Sequence, residues 1–236
     1  MEFKKLYIAI IIALITLQVN AQSNTKDWIT YSIPNACSFK IPPTMEVRSD
    51  ESLHGRFIKA VHQSGLYEML CDNCDLYFDE ATIIIQSKGL NSDPGTDAYK
   101  AAADSYARIL MKFSYSDFTQ DDVVGLKPSE LMELDTMWRN EAKQGIDCLS
   151  DYFTNVTGTF KWFPLRLETY SGTTALVTEY NRQGTGGETR VREYKFFFNK
   201  KFLRITTSYK LSEEAKYKDD FRTFMKLLNI ITTEKI

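Results

Sequence analysis

Three features of the 236-residue sequence predict an α+β fold, mainly antiparallel sheet covered by helices. The last third holds four consecutive strand-like runs joined by short Gly- or Asn-containing links, the pattern of an antiparallel meander. Apolar residues at three- and four-residue steps mark helices in the middle of the chain and near its end. The inner runs of the meander are apolar on both alternating faces, so the sheet requires cover on both sides.

The elements follow in chain order. "MEFKKLYIAIIIALITLQVNAQS" reads as an export leader, residues 1–21: Lys4 and Lys5 supply the positive start, and Leu6 to Leu17 the apolar run. Val19-Asn20-Ala21 places small residues at the cleavage positions, so cleavage is expected between Ala21 and Gln22. The apolar run is shorter than the about 20 residues a membrane span needs, and no later stretch is apolar enough to span. Residues 22–236 then form one domain with its own core. Tyr31 and Ile33, then Phe39 and Ile41, sit at the strand period, with Pro42-Pro43 ending the second strand. "RFIKAVHQ" and "ATIIIQSKGL" add strands, the latter ended by the turn "NSDPG".

After that turn the period changes. Tyr99, Ala103, Tyr106, Leu110 and Phe113 predict a helix over 99–113, capped by Thr96 or Asp93. "SYSDFTQDDVVGLK" reads as a loop in which Asp121-Asp122 is a solvated turn. A second helix follows Pro128, with Ser129 as cap and Leu131, Leu134, Trp138, Ala142 and Ile146 on one side. "LRLETYSG", "TALVTEYNRQG", "TRVREYKFFFN" and "KFLRITTSYK" are the meander strands. A closing helix is capped by Ser212 and carries Tyr217, Phe221, Phe224 and Leu228 as its apolar stripe.

"CSFKIPPTMEV", "IIIQSKGL" followed by "AYKAAADSYARIL", and the ending from "YKFFFNKKFLRITTSYK" to "FRTFMKLLNII" together resemble PsbP-like proteins in layout over most of residues 22–236. That resemblance implies an α-β-α sandwich and an accessory, binding or scaffolding role. It carries over no site residue.

Four cysteines in an exported chain are an even set that permits three pairings. Cys71-Asp72-Asn73-Cys74 suits a disulfide clip across a tight turn, because the ends of a four-residue turn lie within about 7 Å. Cys37 and Cys148 then form a second pair or stay buried as thiols. A redox couple is the alternative, although Glu68, Asp72 and Asp75 disfavour a thiolate. Zinc is a third, with Cys37, Cys148, His54 and His62 as further ligands and no second paired-ligand motif to support it.

The two histidines sit in no nucleophile motif, and the chain has neither a G-x-S-x-G elbow nor an H-E-x-x-H helix. "RQGTGGETR", flanked by Arg182, Arg190 and Arg192, lacks the Lys-Ser/Thr of a phosphate loop and reads as a hairpin. Asn155-Val156-Thr157 matches a glycosylation acceptor. Trp138 and Trp162 fit core positions or a ligand groove. Net charge is −2 for the full chain. Loss of Glu2, Lys4 and Lys5 takes Lys plus Arg from 29 to 27 and Asp plus Glu from 31 to 30, giving −3. Such a balance offers no footprint for nucleic acid. The expectation is a periplasmic or secreted, non-catalytic binding or accessory protein of the cell envelope, without a cofactor, acting on an envelope protein or a small ligand. The rival is an enzyme: a thiol-disulfide oxidoreductase at Cys71 and Cys74, or a carboxylate-based hydrolase.

Overall fold

In a computed structural model of the chain, residues 25–33, 36–48, 82–92, 95–152, 160–184 and 187–232 are described. The expected leader, the strand "RFIKAVHQ", Cys71, Cys74, His54, His62, Asp93 and Asn155 lie outside the described residues.

Strands β1 (Ile29–Ile33) and β2 (Cys37–Ile41) pair antiparallel, and the short β10 (Asn229–Ile230) joins β2, making a three-stranded sheet. The main sheet has seven antiparallel strands in the order β3-β4-β5-β9-β8-β7-β6. These are β3 (Met45–Val47), β4 (Thr82–Ser87), β5 (Ala107–Tyr115), β6 (Lys161–Tyr170), β7 (Thr173–Gly184), β8 (Gly187–Phe198) and β9 (Lys201–Lys210). β6 through β9 are the expected meander. Two of its turns need left-handed backbone: Ser171 and Gly172 join β6 to β7, and Asn199 and Lys200 join β8 to β9, all at positive φ. Paired positive φ is the tight hairpin geometry that matches strand twist.

Both faces of this sheet are covered. On one face, α4 (Glu214–Leu227) and the small sheet enclose the larger core. Tyr217, Phe221, Phe224 and Leu228 from the helix side meet Phe39, Ile109, Met111, Phe196, Leu203 and Ile205 there. Phe39 and Phe224 pack with ring centroids 5.8 Å apart. On the other face, α2 (Gln120–Val124) and α3 (Pro128–Tyr152) close a smaller core of Val123, Leu165 and Leu176, with Leu131, Leu134, Trp138 and Phe197 against it. The alternation of Phe196 and Phe198 against Phe197 therefore serves two separate cores.

Four expectations need correction. The helix over 99–113 is only α1 (Asp97–Asp104), capped by Thr96, whose hydroxyl accepts from the Tyr99 amide at 3.2 Å. The remainder is β5, where Ala107, Ile109, Met111 and Phe113 are buried and their alternates are not. Tyr106, Leu110 and Phe113 match helical steps, but the stricter two-residue period of the whole run decides, as β5 pairs with both β4 and β9. Asp121-Asp122 is not a loop turn but the first turn of α2, where Thr119 and Asp122 form a reciprocal capping box. Ser129 lies inside α3, which starts at Pro128; Glu130 reaches back to the Lys127 amide at 2.8 Å. Ser212 lies in a 3-10 turn (Leu211–Glu213), and Glu213 precedes α4 instead. The carboxylate of Glu213 accepts from the Ser105 hydroxyl at 2.6 Å and the Tyr106 amide at 3.1 Å, pinning the start of α4 to the α1–β5 junction.

Candidate functional site

A groove opens between α3 and the sheet, beyond the edge of the smaller core. Its cavity measures about 220 Å³. The one helix face that packs Leu134 and Trp138 also carries Glu141 and Ala142 one turn later, so α3 forms the roof with Trp138, Glu141 and Ala142. β6 supplies Trp162 as a side wall. The floor is Thr178 and Tyr180 of β7, Glu193 and Lys195 of β8, and Arg204 of β9. Register places these together: Thr178 faces Glu193, and Lys195 faces Arg204.

The walls are held by specific bonds. β6 shifts register between Phe163 and Arg166, across Pro164, which has no amide to donate. Asp135 of α3 accepts the Leu165 amide at 2.6 Å and the Trp162 indole Nε1–H at 2.8 Å. One carboxylate thus ties the helix to the irregular edge strand and orients Trp162. Trp162 stacks on Tyr180 with centroids 5.9 Å apart and planes at 12°, a cross-strand aromatic pair.

Polar groups lining the groove divide into those paired within the protein and those open to solvent. Lys195 is buried; its Nζ donates to Glu193 at 3.0 Å and lies 4.2 Å from the centre of the Trp138 ring. Such a partly desolvated cation–π contact is worth about 1–2 kcal/mol. Burial, then the charge of Glu193, pushes the Tyr180 phenol up to about 12, so it is a neutral O–H donor at physiological pH. Tyr180 Oη, the Arg204 guanidinium and the Glu141 carboxylate have no hydrogen-bonding or ion-pair partner among the described residues, and all three line the groove. The arrangement suits recognition of a small molecule with both polar and apolar parts.

The opposite sheet face, alongside Lys218, Phe221 and Arg222 of α4, carries a second polar cluster. Glu179 is nearly buried and accepts from three arginines: Arg166 at 2.8 Å, Arg190 at 2.7 Å and Arg192 at 2.8 Å. Burial disfavours its charge, but attraction to Arg192 and bonds from Arg166 outweigh this and lower its pKa. Arg190 also donates to Asn181 at 2.6 Å, and Arg166 to Glu168 at 2.5 Å. Arg190 and Arg192, which flank the expected hairpin, are spent on carboxylate and amide partners. The cavity here is only about 50 Å³.

Cys37 is a free thiol, fully buried in the larger core, and burial pushes its pKa up. The side chain of Cys148, on α3, is outside the described residues, as are Cys71 and Cys74. Among the described residues no group of three or more His, Cys, Asp or Glu is placed to hold a metal ion. No helix of the described residues is long and apolar enough to cross a membrane. Of the residues singled out in the sequence, Trp138 and Trp162 come together at the groove. Lys195, Tyr180, Glu193 and Arg204 were missed. The available signal was Lys195 itself, a charged residue set between Tyr194 and the aromatic run Phe196–Phe198 of β8.

No protein-family model matches the chain, and no curated protein matches it. Its fold resembles those of solved structures, among them the following. Cyanobacterial PsbP from Synechocystis has a TM-score of 0.48 and 10% identity, over 86% of this chain and 92% of that one. LpqN of Mycobacterium tuberculosis, involved in cell envelope biogenesis, has a TM-score of 0.44 and 12% identity, over 86% and 88%. A Pseudomonas aeruginosa protein of unknown function, described as a putative regulator, has a TM-score of 0.36 and 13% identity, over 84% and 94%.

Proposed function

We propose that this protein is an exported, non-catalytic binding protein of the cell envelope and that its ligand site is the groove beneath α3. Export is supported by the charged start, the apolar run and the Val19-Asn20-Ala21 box, with Gln22 as the first mature residue. Binding is supported by one observation above the rest: three polar side chains without protein partners among the described residues line a single cavity with two tryptophans. Solvent reaches all three groups, so a ligand entering the groove can bond to them without first breaking a contact within the described residues. In the same reading, Cys71 and Cys74 form a turn disulfide in the mature protein.

Co-purification tests this. Mature protein isolated from its native host is denatured, and the released low-mass compounds are identified by mass spectrometry beside an Ala142→Trp variant, whose added ring fills the groove from its roof. The expected result is a stoichiometric compound with the native protein and none with the folded variant. Equal retention by both would place the ligand elsewhere. Intact Met1 on native protein in the cytoplasm contradicts export.

A further inference from the structure

From the charges left over in the groove we infer that its ligand is a small zwitterion of amino-acid size, its anionic group held by Arg204 and Tyr180 and its cationic group by Glu141. This rests on the groove being the ligand site. The formal charges lining it are Lys195 and Arg204 against Glu193 and Glu141. Lys195 and Glu193 pair with each other at 3.0 Å and cancel. What remains is one positive group on the sheet floor and one negative group on the helix roof. They face the same cavity without forming an ion pair with each other.

A purely anionic ligand leaves Glu141 repelling it, and a purely cationic one leaves Arg204 doing so. A neutral polyol uses neither charge at full strength, because charge-assisted bonds are roughly twice as strong as neutral ones. A molecule carrying both signs satisfies both. Tyr180 adds a neutral O–H donor on the floor that Arg204 also lines, so a carboxylate meets two kinds of donor there. Trp138 and Trp162 provide apolar and π surface for the body of the ligand and favour an ammonium nearby. The cavity, about 220 Å³, is below the roughly 300–1,000 Å³ typical of drug-sized sites. That volume matches a single ring or one amino acid.

Phenylalanine, 3-phenylpropionate and 2-phenylethylamine form a matched set in which each charge is removed in turn, and glucose is the neutral polyol probe. Each is titrated into the ¹⁵N-labelled chain 22–236, followed by the indole signals of Trp138 and Trp162 and by backbone amides. Phenylalanine is expected to bind at least about tenfold more tightly than either single-charge analogue. Arg204→Gln should reduce phenylalanine to the affinity of 2-phenylethylamine while leaving the latter unchanged. Glu141→Gln should reduce it to the affinity of 3-phenylpropionate. Equal binding of all three aromatic probes, or equal weakening of all three by either variant, overturns the assignment. So does preferential binding of glucose, or no shift with any probe. These failures sink the zwitterion alone; the groove falls only if native protein and Ala142→Trp retain the same co-purified compound.

Discussion

Glu179 shows what a single residue contributes when three cations depend on it. Its carboxylate takes bonds from Arg166, Arg190 and Arg192, and its side chain is 6% exposed while theirs are 33%, 22% and 36% exposed. Removing one partner of a buried pair costs about 3–5 kcal/mol. Here the guanidinium groups can partly rehydrate, so Glu179→Ala should cost near the lower end, about 3 kcal/mol, in urea unfolding at neutral pH. Any one arginine changed to glutamine should cost less, because two remain. The folded pKa of Glu179 is lowered relative to the unfolded chain. Its stabilisation is therefore fully present above the ordinary glutamate range and is lost as pH falls through the lower, folded value. Glu179→Gln should flatten that acid limb; an unchanged limb would show that the network carries no net electrostatic weight. A second residue-scale lock joins Ser105, Tyr217 and Ser87 in the core: Tyr217 Oη lies 2.6 Å from Ser105 Oγ and 3.3 Å from Ser87 Oγ. Tyr217→Phe removes one side of two buried hydrogen bonds and should cost about 1–3 kcal/mol in the same assay.

Among elements, α2 and α3 are held by little. The core beneath them contains three buried apolar side chains, against the much larger set under α4. Two devices compensate: the Thr119–Asp122 capping box and the bonds of Asp135 to β6. Thr119→Ala should cost about 0.5–2 kcal/mol. Its effect should appear first as faster amide hydrogen exchange in residues 120–134, with β8 and β9 unaffected; uniform acceleration across the sheet would mean that the layer does not open separately. The meander was legible because Phe196, Phe197 and Phe198 alternate between two cores and the links carry Gly or Asn. β5 was not, since Tyr106, Leu110 and Phe113 fit helical spacing and only pairing with β4 and β9 resolves the ambiguity. The strand β10 was missed because two residues give no period at all. The groove was half legible: tryptophans drew notice, but the meeting of Glu141 with Arg204 depends on where α3 lies across the sheet, which spacing along the chain does not encode.

At the scale of the whole molecule, a seven-stranded sheet separates two unequal faces. One holds most of the apolar core together with the Glu179 network, and the other holds a thin core and the groove. Stability thus resides mainly on the α4 side, leaving the α3 side free to present polar groups to solvent. Binding proteins commonly divide a domain this way, with a rigid scaffold and a less stable recognition layer. The division predicts where a ligand is felt. The most direct test is a titration of ¹⁵N-labelled chain 22–236 with the low-molecular-mass fraction of a native envelope extract, with amide shifts assigned residue by residue. Shifts concentrated at Glu141, Thr178, Tyr180, Glu193, Lys195 and Arg204 are the predicted result. Shifts concentrated instead around Glu179, Arg190 and Tyr209 on the opposite face, or none at any extract concentration, would contradict the groove as the ligand site.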